Sequence, residues 1–363
     1  MVDSNSRLRQ RPGSVQEIRL GLFNIKRRLT INSFLVHQLK QLEKYSVFTL
    51  VFCSSLFCIP CLAYDPAGTL FDLEESHAID IKSSNEGRVI PLLISLPEKK
   101  GLLPVILFSH GLGGSRKGYK YVRAHWIGRG YATIFLQHPG SDESLLKGVS
   151  PSQALRQLRG AATRANMNLR VDDVTDVLDA ISVWTNDKES PFYGRMDENN
   201  VGMSGHSMGA VTSQVMIGQQ RWLSSTKKEK RIKAAVLMSP SSPSLQSTGS
   251  AFGAVTTPCL LLTGTSDSVP FLSNQTVESR RAVFEALPSG NAYELVFDKA
   301  RHSAFSDRPR QNEPPHNPKH HTAIQVITTA FWDAYLQNNK QAKKWLKEET
   351  TQLLDPADVW QTK

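Results

Sequence analysis

The sequence predicts an α/β protein with a doubly wound, mostly parallel sheet flanked by helices. From residue 76 onward, short apolar runs suited to strands covered on both faces alternate with segments of helical periodicity. A serine between glycines stands where one such strand gives way to a helix, and a glycine-rich loop follows an earlier strand. With 40% hydrophobic and 21% charged residues, the composition is that of a folded globular enzyme and excludes disordered and fibrous classes.

The elements follow in order. Ala78–Lys82 and Arg88–Leu96 read as an antiparallel pair joined through Asn85-Glu86-Gly87. Pro104–Ser109 (PVILFS) is a buried parallel strand, Tyr119–Arg129 a helix and Tyr131–Gln137 the next strand. Leu169–Trp184 carries Val174, Val177, Leu178, Ile181 and Trp184 at helical spacing. Strand Val201–Ser204, a helix from Met208, and strands Ala234–Met238 and Cys259–Thr263 come next. A helix over Val277–Ala286, strand Tyr293–Phe297 and a helix with Ile324, Ile327 and Phe331 on one face close the pattern. Repeated β-α alternation without an internal repeat predicts one open sheet in one domain, residues 64–363. The stretch Arg308–His321, rich in Pro, Asn and His, reads as a loop.

Residues 1–63 read as a separate leader. Basic residues Lys26, Arg27, Arg28, Lys40 and Lys44 precede an uncharged run from Tyr45 to Ala63 that ends Cys61-Leu62-Ala63. A basic flank, an apolar run and small residues before a cut after Ala63 are the parts of a secretory signal. At about 19 residues, the run is also near the length of an uncleaved membrane anchor. The expectation is a secreted or extracytoplasmic protein, with membrane proximity through residues 45–63 if the leader stays attached. The net charge of +10 divides unevenly: the leader holds nine Lys/Arg against three Asp/Glu, or +6, and the other 300 residues hold 34 against 30, or +4. The body thus has no polybasic stripe, and nucleic acid is not an expected partner. Cys53, Cys58 and Cys61 lie in the apolar run, so a cleaved product keeps Cys259 alone and must be stabilised by its core.

The pentapeptide Gly205-His206-Ser207-Met208-Gly209 carries the chemistry. A nucleophilic serine must project from a sharp strand-to-helix turn, which glycines on either side permit, and the helix N-terminus offers amides to a developing oxyanion. His206 reads as a structural neighbour. His110-Gly111-Leu112-Gly113-Gly114 follows the first parallel strand, where backbone amides can reach a substrate carbonyl. The expected oxyanion donors are the N–H groups of Leu112 and Met208, with His110 orienting the loop. Serine needs a base, itself oriented by a carboxylate, and with this elbow the chain order is serine, acid, histidine. His302, just after the last expected strand, is the candidate base. Asp267, in the turn Gly264-Thr265-Ser266-Asp267-Ser268, is the candidate acid, and Asp298 is its rival. His316, His320 and His321 have only Glu313 to complete a metal shell, so no metal is expected.

FSHGLGGSRKGYKY (108–121), GRGYATIFLQHPGSDES (128–144), LRVDDVTDVLDAI (169–181), GHSMGA (205–210) and HSAFSD (302–307) together resemble the α/β-hydrolases. They are similar to its dienelactone-hydrolase-like branch, with platelet-activating-factor acetylhydrolases and related bacterial esterases. The resemblance implies hydrolysis of a small-molecule or lipid-like ester through an acyl-enzyme, with no metal or organic cofactor. The alternatives are an acyltransferase or amidase with the same triad, or a binding protein on a hydrolase fold. The acetylhydrolases place the acid after the strand next to the nucleophile unit. That strand here ends Ser239-Pro240-Ser241, without a carboxylate, which returns the acid to Asp267. Dienelactone hydrolases use cysteine where this chain has Ser207. The expected pocket walls are Pro139–Arg164 and Ser239–Thr257.

Overall fold

A computed structural model of the chain describes residues 64–224, 226–270 and 272–363. The expected leader, with its signal or anchor, lies outside the described residues. Among the described residues, nine strands form one sheet: β1 (Leu73–Lys82), β2 (Val89–Pro97), β3 (Leu103–Ser109), β4 (Ala132–Leu136), β5 (Met196–His206), β6 (Ile232–Met238), β7 (Cys259–Ser266), β8 (Ala292–Arg301) and β9 (Val359–Thr362). Their spatial order is β1-β2-β4-β3-β5-β6-β7-β8-β9. The six strands from β4 across to β8 run parallel, and β1, β2 and β9 are antiparallel additions at the two edges. The order reverses at β3, whose neighbours are β4 on one side and β5 on the other. Such a switch opens a crevice beyond the strands' C-terminal ends.

Alternation along each parallel strand divides the core in two. Val105 and Leu107 of β3, Met203 of β5 and Leu237 of β6 face a layer built by α3 (Arg164–Asn186), α4 (Met208–Met216) and α6 (Val277–Ala286). Ile106 and Phe108, with Val236 and Leu260, face α1 (Lys120–Gly128), α7 (Pro318–Leu336) and α8 (Lys340–Glu348). Both sheet faces are therefore covered, which is why the strands read as continuous apolar runs. Cys259 is buried in β7 as a small core residue.

The expected elements are present, most with longer ends, although α1 and β4 are each one residue shorter at both ends, and several elements were not expected. β5 begins at Met196, and its polar first half, Asp197–Asn200, hides it from a hydrophobic pattern. Helix α2 (Pro151–Ala161) starts with a capping box between Ser150 and Gln153 and has a narrow apolar face, on which Ala154, Leu155 and Leu158 are half-buried and Ala161 is its one buried residue. A five-residue helix, α5 (Thr248–Phe252), interrupts the loop after β6. β8 is not the last strand, because β9 pairs with it after α8. α7 begins at Pro318, so the last four residues of the expected loop 308–321 are helical.

Candidate active site

The strand register delivers the three candidate residues to one place. Ser207 follows β5, whose Gly205 lies opposite Ser109 of β3. Ser207 adopts φ 55° and ψ −117°, a backbone costly for a residue with a side chain and typical of functional sites. The flanking glycines are required by contact. A Cβ at Gly205 would fall 2.3 Å from the backbone of Gly209, and one at Gly209 would fall 1.8 Å from the carbonyl oxygen of Ser109. On β7 and β8, Ser266 pairs with Arg301, so the next residues, Asp267 and His302, leave neighbouring strands side by side.

His302 joins the other two. Its Nε2 lies 2.9 Å from Ser207 Oγ and its Nδ1 lies 2.6 Å from Asp267 Oδ1. Asp267 is fully buried and His302 nearly so. Burial is the largest influence on the imidazole and pushes its pKa below the ordinary value; the hydrogen bond and charge of Asp267 oppose this, and the cation Arg280 reinforces it. For Asp267, burial alone would push the carboxyl up. The hydrogen bond and charge of His302 and the charge of Arg280 outweigh it and hold the group well below the usual carboxylate range. Asp298, the rival acid, is part-exposed in β8, where its carboxylate accepts from Thr265 and pairs with Lys299.

Ser207 and His302 open onto a cleft of about 210 Å³ that they line together with Leu112 and Met208, with Asp267 buried behind them. Within the loop 110–114, the amides of Gly111, Gly113 and Gly114 are bonded to Tyr119 Oη, Ser141 O and Gly111 O. The Leu112 amide makes no hydrogen bond among the described residues, nor does that of Met208, the first residue of α4. Two unpaired amides on residues that line the same cleft as the serine and its base are available to a developing oxyanion. The expected walls are part of the cleft, through Ala162, Thr163 and Ser241; a third wall after β7, formed by Val269, Leu272 and Ser273, was not expected. A larger cleft of about 380 Å³ near Glu313–Asn317 is lined by Asp298 but by none of Ser207, Asp267 and His302.

Residues 161–314 match a family model, PETase, described as PET hydrolase-like. No curated protein matches the chain. The sheet order, the elbow at Ser207 and this match agree on the superfamily. The chain is an α/β-hydrolase.

In this α/β-hydrolase, several residues around the site carry no sequence motif. Ser239 stands at the end of β6 with φ 55° and donates to Asp267 Oδ2 at 2.6 Å; Thr263 donates to the same oxygen at 3.0 Å. Arg280 of α6 is buried against the acid, with Nε 3.2 Å from Asp267 Oδ1. It also donates to the carbonyls of Asp267, Ser239 and Pro240 at 2.8–3.0 Å, and its Nη2 lies 3.4 Å from His302 Nδ1. The one advance signal was Arg280 sharing a helical stripe with Val283, Phe284 and Leu287, since a buried charge needs a partner. His206 is buried against the base, with ring centroids 4.7 Å apart, and its Nδ1 lies 3.0 Å from Tyr119 Oη. His110 is fully buried, with Nδ1 2.6 Å from Gly111 O and Nε2 accepting from the His138 amide at 3.1 Å. Among the remaining histidines, His321 stacks on Tyr121 and His320 packs on Phe297. Glu313 accepts from Ser303. No group of three metal-binding side chains occurs among the described residues.

Proposed function

We propose that this α/β-hydrolase cleaves carboxylic esters through a covalent acyl-enzyme on Ser207. The observation that carries the reading is His302 bridging Ser207 and the buried Asp267 at 2.9 and 2.6 Å, at the mouth of a cleft. In the first half-reaction, His302 Nε2 takes the proton from Ser207 Oγ as the oxygen adds to the ester carbonyl. The Leu112 and Met208 amides stabilise the oxyanion, and Asp267 the imidazolium. Collapse of the adduct expels the alcohol, protonated by His302. Water, deprotonated by His302, then adds to the acyl group, and collapse of the second adduct releases the acid and returns the proton to Ser207. The scheme uses no cofactor.

Leu112, Met167, Val211, Val269 and Leu272 give the cleft an apolar lining, which favours a hydrophobic acyl group. The cleft's small volume favours a short one. The matching family, described as PET hydrolase-like, adds PET as a candidate ester substrate. Secretion rests on the leader sequence alone. Ser207→Ala should lower kcat on p-nitrophenyl butyrate by about 10⁴–10⁶-fold and abolish labelling by a fluorophosphonate. Retention of activity within tenfold of the parent would remove Ser207 from the role.

A further inference from the structure

Beneath the oxyanion loop lies a second Ser-His-Asp chain. Ser109 Oγ is 2.9 Å from His138 Nε2, and His138 Nδ1 is 2.8 Å from Asp173 Oδ2. All three residues are completely buried, so no substrate can reach them, and a second catalytic site is excluded. Asp173 also takes two bonds of 2.7 Å from Arg88. Burial is the main cause that lowers the pKa of His138 to about 4. The imidazole is therefore neutral, donating to Asp173 and accepting from Ser109.

Arg170 extends this chain into the loop. It is completely buried on the same face of α3 as Asp173. Its Nη1 donates to the carbonyl of His110 at 2.7 Å and approaches Ser109 Oγ at 3.4 Å. Its Nε donates to Ser141 Oγ at 2.9 Å, and Nη2 to the Ser141 carbonyl at 3.3 Å. That same carbonyl accepts the Gly113 amide at 2.9 Å, and the Glu143 amide donates to Gly114 O at 2.8 Å. The loop is thus fastened at residue 110 and at 113–114, and Leu112 between them has the free amide.

We propose that Arg170, braced by the sealed Ser109–His138–Asp173 chain, is a positioning residue that fixes where the Leu112 amide meets the oxyanion. The assignment rests on the ester-hydrolase reading above. A planar guanidinium suits the task because it spans two segments at fixed angles, which a lysine ammonium cannot do. An amide displaced by about 1 Å loses most of its value to the transition state while leaving ground-state binding unchanged.

The experiment compares Arg170→Lys and Ser141→Ala with the parent. It reads kcat and KM on p-nitrophenyl butyrate per mole of fluorophosphonate-titrated site, together with inhibition by butylboronic acid, whose adduct is tetrahedral. Arg170→Lys should lower kcat about 30- to 100-fold and weaken the boronate in parallel, with KM within about threefold. Ser141→Ala, which removes one contact, should lower kcat about threefold to tenfold and carries the test alone if Arg170→Lys does not fold. Unchanged kcat per titrated site and unchanged boronate affinity would overturn the proposal, whatever the melting temperature does. So would a raised KM at unchanged kcat. A parent protein that neither hydrolyses the ester nor labels refutes the hydrolase reading itself, before any variant is measured.

Discussion

Replacing Asp267 by Asn separates the candidate acid from its rival and probes the whole hydrogen-bonded centre. Asp267 accepts from His302, Ser239 and Thr263 and lies 3.2 Å from the Arg280 guanidinium. Asparagine keeps the volume but can present an N–H to His302 Nδ1, which stabilises the tautomer whose Nε2 carries the proton and cannot act as a base. The expected loss is about 10³–10⁴-fold in kcat near neutral pH, about 4–5.5 kcal/mol of barrier. Stability falls as well. Removing one partner of a buried ion pair costs about 3–5 kcal/mol. Arg280 keeps its three backbone carbonyls, so we expect the lower end, about 3 kcal/mol, or about 6 °C in Tm for a domain of this size. The assay is p-nitrophenyl butyrate turnover with thermal unfolding on the same samples, and Asp298→Asn as control. Asp298 reaches Thr265 and Lys299, so its variant should stay within about threefold of the parent. An inactive Asp298→Asn beside a nearly normal Asp267→Asn would refute the reasoning and reassign the acid.

Three further outcomes follow from the same geometry. His302 is held below its ordinary pKa, so the acid limb of kcat/KM should lie below pH 6.5; Arg280→Met removes a cation that lowers it and should move that limb to higher pH. His138 titrates at about 4 in the folded state against an ordinary 6.5, so the unfolded chain takes up that proton first as pH falls. Stability should decline by about 3 kcal/mol between pH 6.5 and 4 from this group, and His138→Gln should flatten the plot of Tm against pH over that window. Gly209→Ala places a methyl 1.8 Å from the Ser109 carbonyl oxygen and should cost more than 3 kcal/mol, read as a loss of soluble protein or of cooperative unfolding.

The parts legible in the sequence are those whose physics is local. A parallel strand buried on both faces must be a short apolar run, so β3, β4, β6 and β7 stand out. The elbow at Ser207 needs small residues on both sides, and the contacts of Gly205 and Gly209 give the reason. Elements with a weak apolar signature escaped. α2 is specified by the Ser150–Gln153 box and exposes most of its length, and the first half of β5 is polar because it precedes the covered part of the sheet. The buried charges were hidden differently. Arg170, Asp173 and Arg280 sit on stripes otherwise occupied by valine, leucine and phenylalanine, and their partners come from distant segments. A periodic pattern can show that such a charge is buried, but not what satisfies it.

The placement of the acid follows from the sheet rather than from any one motif. Two strands, β6 and β7, end near His302, and a carboxylate after either could reach the imidazole. Here β7 supplies Asp267, and β6 supplies Ser239 to the same spot, 2.6 Å from the carboxylate. An acid on both strands would bring two carboxylates within hydrogen-bonding distance, where one must take up a proton. A hydroxyl on β6 avoids this and adds a donor to the anion that Asp267 must remain. The positive φ of Ser239 and the hydrogen bond its N–H donates to Leu262 O at 2.7 Å hold that donor against β7. Arg280, touching the carbonyls of both strands, ties the two ends into one support for the acid. The absence of a carboxylate at Ser239-Pro240-Ser241 is therefore the complement of Asp267, and the pair is best understood as one unit.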